Sequence, residues 1–299
     1  MPADGNPVGI MNPESFWFGG SDGLQVAAYR WPAGAHARAI VQIAHGMAEH
    51  SLRYEHVAAF LNRGGFHVYA NDHRGHGLTG THSGTLGDFG AAGWNGLVDD
   101  LVALTRIARE REGGLPVILL GHSMGSFAAQ QYVLDHSGEI EALALSGSVA
   151  TDLLIGNSPP DGDLTALNKP FEPARTPFDW LSRDPAIVDA YVADPLCGFK
   201  LDPASLMSMG MSAMRMAEPR ELARIRKELP IYIFAGDADP LNGKLELLKP
   251  LAARYRAAGI RDVVERYYPD ARHEVLNETN REQVMSDLVA WSDRALARR

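Results

Sequence analysis

The residues Gly121-His122-Ser123-Met124-Gly125 set one serine between two glycines, where the aliphatic run at 117–120 gives way to small, helix-tolerant residues. A G-x-S-x-G string in that context predicts a tight strand-to-helix turn that lifts the hydroxyl of Ser123 out of the chain as a nucleophile. The flanking glycines answer to a strained turn and to a lack of room for side chains beside it. A serine hydroxyl attacks poorly at neutral pH, so it needs a base to take its proton and an acid to orient that base. Of the eleven histidines only His136 and His273 follow Ser123. His136 lies in the helix that the serine would open and is carried away from the turn, which leaves His273 in YYPDARHEVLNE. For the acid, the stretch AGDADPLN offers Asp237 and Asp239. Asp239 is favoured because it lies past the tip of the turn, where Asp237 suits a turn cap. Asp270, close to His273 in the chain, reads as a solvated turn residue. Acyl transfer also needs two backbone N–H groups aimed at the developing oxyanion. Met124 after the nucleophile supplies one, and Met47, after the strand that ends in His45-Gly46, supplies the other.

Positioning these groups takes a sheet. Six apolar runs, at 38–46, 66–77, 115–123, 140–148, 229–239 and 261–273, end in Gly, Asp or Asn and alternate with helix-like segments. Such runs read as strands buried on both faces, and their alternation with helices predicts an α/β fold with a mostly parallel central sheet flanked by helices. Residues 15–31 read as an antiparallel hairpin at its edge. Between 150 and 226 the rhythm breaks into a proline-rich stretch without strand-like runs. That predicts a core of 1–150 and 227–299, interrupted by an inserted helical cap or lid at 151–226. Within it, Met207, Met211 and Met214 recur at helical spacing. Flexible thioethers on one face suit either an adaptable acyl-chain tunnel or ordinary packing on the core.

Composition narrows the function classes. A net charge of −9 without a Lys/Arg cluster argues against nucleic acid and against an anionic membrane surface. Cys197 is the single cysteine, so no internal disulfide or cysteine-rich metal cluster forms. The pair of histidines in DHRGHG lies in a glycine-rich turn without further ligands, and no phosphate-binding glycine loop is present, so neither a metal nor another cofactor is expected. No signal peptide and no apolar stretch of membrane-spanning length is evident, and the expected location is cytoplasmic.

The strings HGMAEHSLRY, NDHRGHGLT, GHSMGS, YVADPL, AGDADPLN and RHEVLNE occur in this order from about residue 45 to 278. Together they resemble the monoacylglycerol lipase and lysophospholipase group of α/β-hydrolases. The resemblance implies a triad of Ser123, Asp239 and His273, an oxyanion hole at Met47 and Met124, and a polar head-group pocket lined by Glu49, Arg53 and Tyr191. It implies a small-molecule ester substrate, monoacylglycerol-like or of short to medium acyl length. Met47-Ala48, Leu52 and Ser126 depart from the group's usual residues, and the cap resembles it least. Two rivals share the fold. An aminopeptidase or amidase would need acidic cap residues, for which Asp161, Asp163 and Glu172 are available; a ligand-binding protein without catalysis would typically have lost the serine or the histidine.

Overall fold

The structure, a computed structural model, describes residues 13–34, 36–155 and 162–297. Its strands are β1 (Glu14–Gly19), β2 (Gln25–Trp31), β3 (Ala39–Ala44), β4 (Phe66–Asn71), β5 (Val117–His122), β6 (Ala142–Ser146), β7 (Ile231–Gly236) and β8 (Val263–Tyr268). They form one sheet in the order β1-β2-β4-β3-β5-β6-β7-β8. β1 and β2 run antiparallel at one edge, and every pairing from β4 to β8 is parallel. This is the α/β arrangement that the alternating runs predict. The reason is visible in β5: Ile118 and Leu120 join the core on one face, while Val117 and Leu119 join the core on the other. Both faces of a parallel strand are covered, so polar alternation is lost and the strand reads as one apolar run.

The covering helices are α1 (Glu55–Arg63), α2 (Gly77–Ser83), α3 (Gly93–Arg111), α4 (Met124–His136), α5 (Thr151–Ile155), α6 (Pro185–Ala193), α7 (Pro203–Ala217), α8 (Pro219–Leu222), α9 (Lys249–Ala257) and α10 (Arg281–Leu296). Leu61 of α1 and Trp291 of α10 pack on one face of the sheet, and Leu101 of α3, Phe127 of α4 and Leu251 of α9 on the other. The chain between β6 and β7 contributes α5 to α8 and short 3-10 turns, with no strand among its described residues. It is tied to the loop after β8: the Glu274 N–H donates to Leu181 O at 2.8 Å, and the Ser182 hydroxyl donates to Asn277 O at 3.0 Å.

Helix α7 starts where its sequence says it should. Asp202 accepts hydrogen bonds from the N–H groups of Ala204 and Ser205, and Pro203 occupies the first turn, where its missing N–H costs nothing. Its buried side is Ser205, Ala213 and Met216. Met207, Met211 and Met214 are 62%, 75% and 64% exposed, so this stripe lines no tunnel and packs on no core. The helix does pack an apolar side on the core, through Ala213 and Met216 with Leu206 and Met209 beside them, but not through this stripe: the hydroxyls of Ser205 and Ser208 accept hydrogen bonds from the N–H groups of Phe89 and Trp94, which fixes the rotation of the helix and turns these three thioethers outward. Among the described residues no helix is long and apolar enough to cross a membrane.

Candidate active site

Ser123 follows β5 and caps α4 with φ 51° and ψ −123°, a left-handed conformation that a side chain rarely adopts. The backbone strain therefore sits on the serine itself; neither Gly121 nor Gly125 has positive φ. What the glycines supply is clearance. A Cβ on Gly125 would lie 2.1 Å from Ala44 O, and one on Gly121 would lie 2.6 Å from Gly125 O. Three bonds hold the turn: the Ser123 N–H donates to Ser146 O at 2.9 Å, and Ser123 O accepts from the Ser126 N–H at 2.8 Å and from its hydroxyl at 2.6 Å.

His273 stands on the loop after β8 and Asp239 on the loop after β7, adjacent parallel strands that end at the same edge of the sheet as β5. The Nδ1–H of His273 donates to Asp239 Oδ2 at 2.9 Å, and both residues are buried. The other Asp239 oxygen accepts the Leu241 N–H at 2.9 Å, which fixes the plane of the carboxylate. Asp237 instead accepts the Asp270 N–H at 2.7 Å, so these two acids hold the neighbouring turns together. His136 lies in the last turn of α4 against Tyr132, at the far end of the helix that Ser123 opens. Ser123 and His273 line one cavity. Among the described residues no hydrogen bond joins the Ser123 hydroxyl to the imidazole, a contact that commonly tightens only once substrate is bound.

Electrostatics separate the two histidines here. Burial disfavours a charged imidazole at His273, but the Asp239 carboxylate overrides it and holds the ring above its ordinary value. His122 is fully buried, which together with repulsion from His273 pushes it down to about 3, so it stays neutral. Gly147 leaves room for both rings, since a Cβ there would come within 3.0 Å of each. Among the described residues, the N–H groups of Met47 and Met124 donate to no protein acceptor. The loop that carries Met47 is anchored at Gly46, whose N–H donates to Glu49 Oε1 at 2.5 Å, and a Cβ on Gly46 would lie 3.2 Å from the Ser123 Cβ.

Glu49, Arg53 and Tyr191 come together beside this loop. Arg53 Nη1 donates to Glu49 Oε2 at 2.5 Å and to Glu274 Oε1 at 2.7 Å, Nη2 donates to Glu274 Oε2 at 2.8 Å, and its guanidinium lies 4.8 Å from the Tyr191 ring centre. The Tyr191 hydroxyl donates to Ala48 O at 2.9 Å. Glu49 and Tyr191 line the cavity; Arg53 lies behind them. Sequence reasoning assigned no role to Glu274, which also lines the cavity, or to Tyr54, whose hydroxyl donates to Glu49 at 2.8 Å. Glu274 had no local signal, because its cation stands 221 residues away. Burial works against ionising Glu274, but the Arg53 guanidinium prevails and takes its carboxyl down to about 2. Burial pushes Glu49 above its ordinary value, against the pull of the same guanidinium.

A serine at a strand-to-helix elbow of a buried parallel sheet, with an acid and a histidine on loops after later strands, defines the α/β-hydrolase class. Within that class, residues 35–280 match the profile of the Hydrolase_4 family, described as serine aminopeptidase, S33, and the chain belongs to it. It is 33% identical over 292 residues to a monoacylglycerol lipase of Mycolicibacterium smegmatis, covering 92% of this chain and 95% of that protein. It is 26% identical over 282 residues to the human monoglyceride lipase, covering 87% of each. Among solved structures, a thermostable carboxyl esterase from Bacillus coagulans in complex with glycerol superposes with a TM-score of 0.84 at 29% identity, covering 95% of this chain and 99% of that one. A monoglyceride lipase from Saccharomyces cerevisiae shares the fold with a TM-score of 0.77 at 21% identity, covering 97% of this chain and 98% of that one. The chain is a carboxylic-ester hydrolase of monoacylglycerol lipase-like type.

Proposed function

We propose that the protein hydrolyses monoacylglycerol-like esters through a Ser123, His273 and Asp239 triad and an acyl-enzyme. His273 takes the proton of the Ser123 hydroxyl as it attacks the ester carbonyl, and Asp239 keeps the ring in the tautomer whose Nε2 can accept. The amides of Met47 and Met124 receive the tetrahedral oxyanion. His273 then protonates the departing alcohol and activates the water that cleaves the acyl-enzyme. Glu49, Arg53 and Tyr191 border the alcohol side, residues 151–226 act as a cap over the site, and the location is cytoplasmic. The observation that carries this reading is the buried 2.9 Å contact from His273 to Asp239 beside the strained Ser123 elbow. The substrate class rests on the monoacylglycerol lipase relatives and on the glycerol complex of the similar esterase.

The aminopeptidase or amidase alternative lacks support in the acids proposed for it. Asp163 accepts from Thr165 as the cap of a 3-10 turn and pairs with Lys200, Glu172 is exposed, and Asp161 lies outside the described residues. The test is active-site labelling with a fluorophosphonate together with fatty-acid release from a 1-acylglycerol. Ser123→Ala is expected to abolish labelling and to lower turnover by on the order of 10⁴ or more. Labelling that persists in Ser123→Ala, or a labelled wild-type protein that cleaves amides but no ester, overturns the proposal.

A further inference from the structure

A histidine that shuttles a proton must carry a positive charge while its ring keeps one orientation, so whatever lies against the ring bears on both. The carboxylates that act on His273 are Asp239 at Nδ1, then Glu274 and Glu49, and Arg53 pairs with the two glutamates. The His122 ring centre lies 4.9 Å away, and that ring stays neutral. A further neighbour is uncharged and comes from the segment between β6 and β7. The Trp180 ring centre lies 4.8 Å from that of His273, with the planes 43° apart, and Trp180 is buried. It lines the same cavity as Ser123 and His273. A buried indole usually finds an acceptor for its N–H. Among the described residues the Nε1–H of Trp180 has none, so no side-chain hydrogen bond explains its place. The backbone supplies the anchor: the Trp180 N–H donates to Asn168 Oδ1 at 2.9 Å, and Trp180 O accepts the His273 N–H at 3.4 Å. Arg272, the residue before the histidine, donates from Nη1 to Asp179 O at 2.5 Å and to Ser182 O at 3.2 Å, on either side of the indole.

We infer that Trp180 is a positioning residue for the base: its indole steadies the His273 ring and stabilises the imidazolium that forms when the ring takes the serine proton. This rests on the triad reading and deepens it, because it adds a group from the segment between β6 and β7 to the three residues of the core. An indole presents a negative face, and a cation within about 6 Å of its centre is attracted to it, more strongly where water is excluded. Asp239 supplies the larger attraction, but it holds the ring at Nδ1 alone. A flat, rigid neighbour against the ring opposes rotation about that bond and keeps Nε2 directed at the reacting atoms. An aliphatic side chain of similar bulk would also exclude water from the imidazole, but it has no negative face. Cover and charge stabilisation are therefore separable by experiment.

Site-specific replacement of Trp180 by mono-, di- and trifluorotryptophan in the full chain keeps the shape of the ring and drains its negative face step by step. The expected result is a stepwise fall in kcat for a soluble 1-acylglycerol, about fivefold in total, with KM changed by less than about twofold. The Cε1–H resonance of His273, identified by its loss in His273→Ala, should titrate at lower pH with each added fluorine. Trp180→Leu is expected to lose about tenfold in kcat, and Trp180→Phe to stay within about threefold of the wild type. A kcat or a His273 titration that stays unmoved across the fluorinated series overturns the inference, even where Trp180→Leu is impaired, because that pattern marks a side chain that only fills space. An effect confined to KM overturns it as well. If the wild type cleaves no ester, the triad reading fails on its own, and the titration of His273 still decides whether the indole acts on its charge.

Discussion

At the scale of single residues the chemistry turns on which of two effects wins at His273. Desolvation disfavours imidazolium, and a carboxylate 2.9 Å from Nδ1 favours it; the second prevails, and the ring sits above its ordinary 6.5. In the proposed mechanism only the neutral ring takes the serine proton, so kcat/KM should fall as the pH drops through a midpoint above 6.5. Asp239→Asn removes the attraction but leaves the burial. It should move that acid limb to lower pH and reduce kcat by on the order of 10⁴. A pH-rate profile with the limb unmoved would show that Asp239 does not set the state of the base. The neighbouring Glu49, Arg53 and Glu274 show the same competition, with burial opposed by a shared guanidinium.

At the scale of elements, position follows from local rules and orientation from contacts. The strained backbone at Ser123 persists because β5 on one side and α4 on the other are fully packed, and because Gly121 and Gly125 let strand, turn and helix approach within distances that no Cβ allows. In α7 the Asp202 cap and Pro203 decide where the helix begins, but two serine hydroxyls bonded to Phe89 and Trp94 decide which way it faces. The exposed thioethers yield a definite expectation. Replacing Met207, Met211 and Met214 together by serine should leave the acyl-chain preference across a series of 4-nitrophenyl esters unchanged, and should alter stability by less than about 0.5 kcal/mol per site. A shifted chain-length optimum would return these side chains to the substrate path.

At the scale of the whole molecule, a buried carboxylate adds to the backbone bonds that tie the segment between β6 and β7 to the histidine loop. Glu278 is fully buried and accepts from the Arg183 N–H at 3.0 Å, Arg183 Nε at 2.8 Å, the Arg272 N–H at 2.9 Å and the Thr279 N–H at 2.9 Å. Glu278→Ala strands these donors and frees the loop that carries His273. We expect a loss of roughly 2–3 kcal/mol in urea unfolding, discounted because Arg183 is partly exposed. Activity should fall through kcat more than through KM, since the displaced group is the proposed base and not the proposed head-group pocket. An unchanged kcat in the folded variant would mean that the loop holds its geometry without this link.

Much of this was legible in the chain because it depends on near neighbours. A strand covered on both faces must be apolar throughout, so the runs around 117–122 and 231–236 marked the sheet, and a serine between glycines at the end of such a run marked the elbow. The candidate base emerged by elimination, since one histidine lay beyond the elbow helix. What only the tertiary structure decided are the meetings across long sequence separations. The bridging of Arg53 to Glu274 and the outward turn of the α7 methionines each depend on how adjacent loops and layers pack. Residue type and spacing report what a segment can do with its neighbours in the chain. Which distant carboxylate faces which cation is set by the registration of strands and the rotation of helices, and no local pattern encodes either.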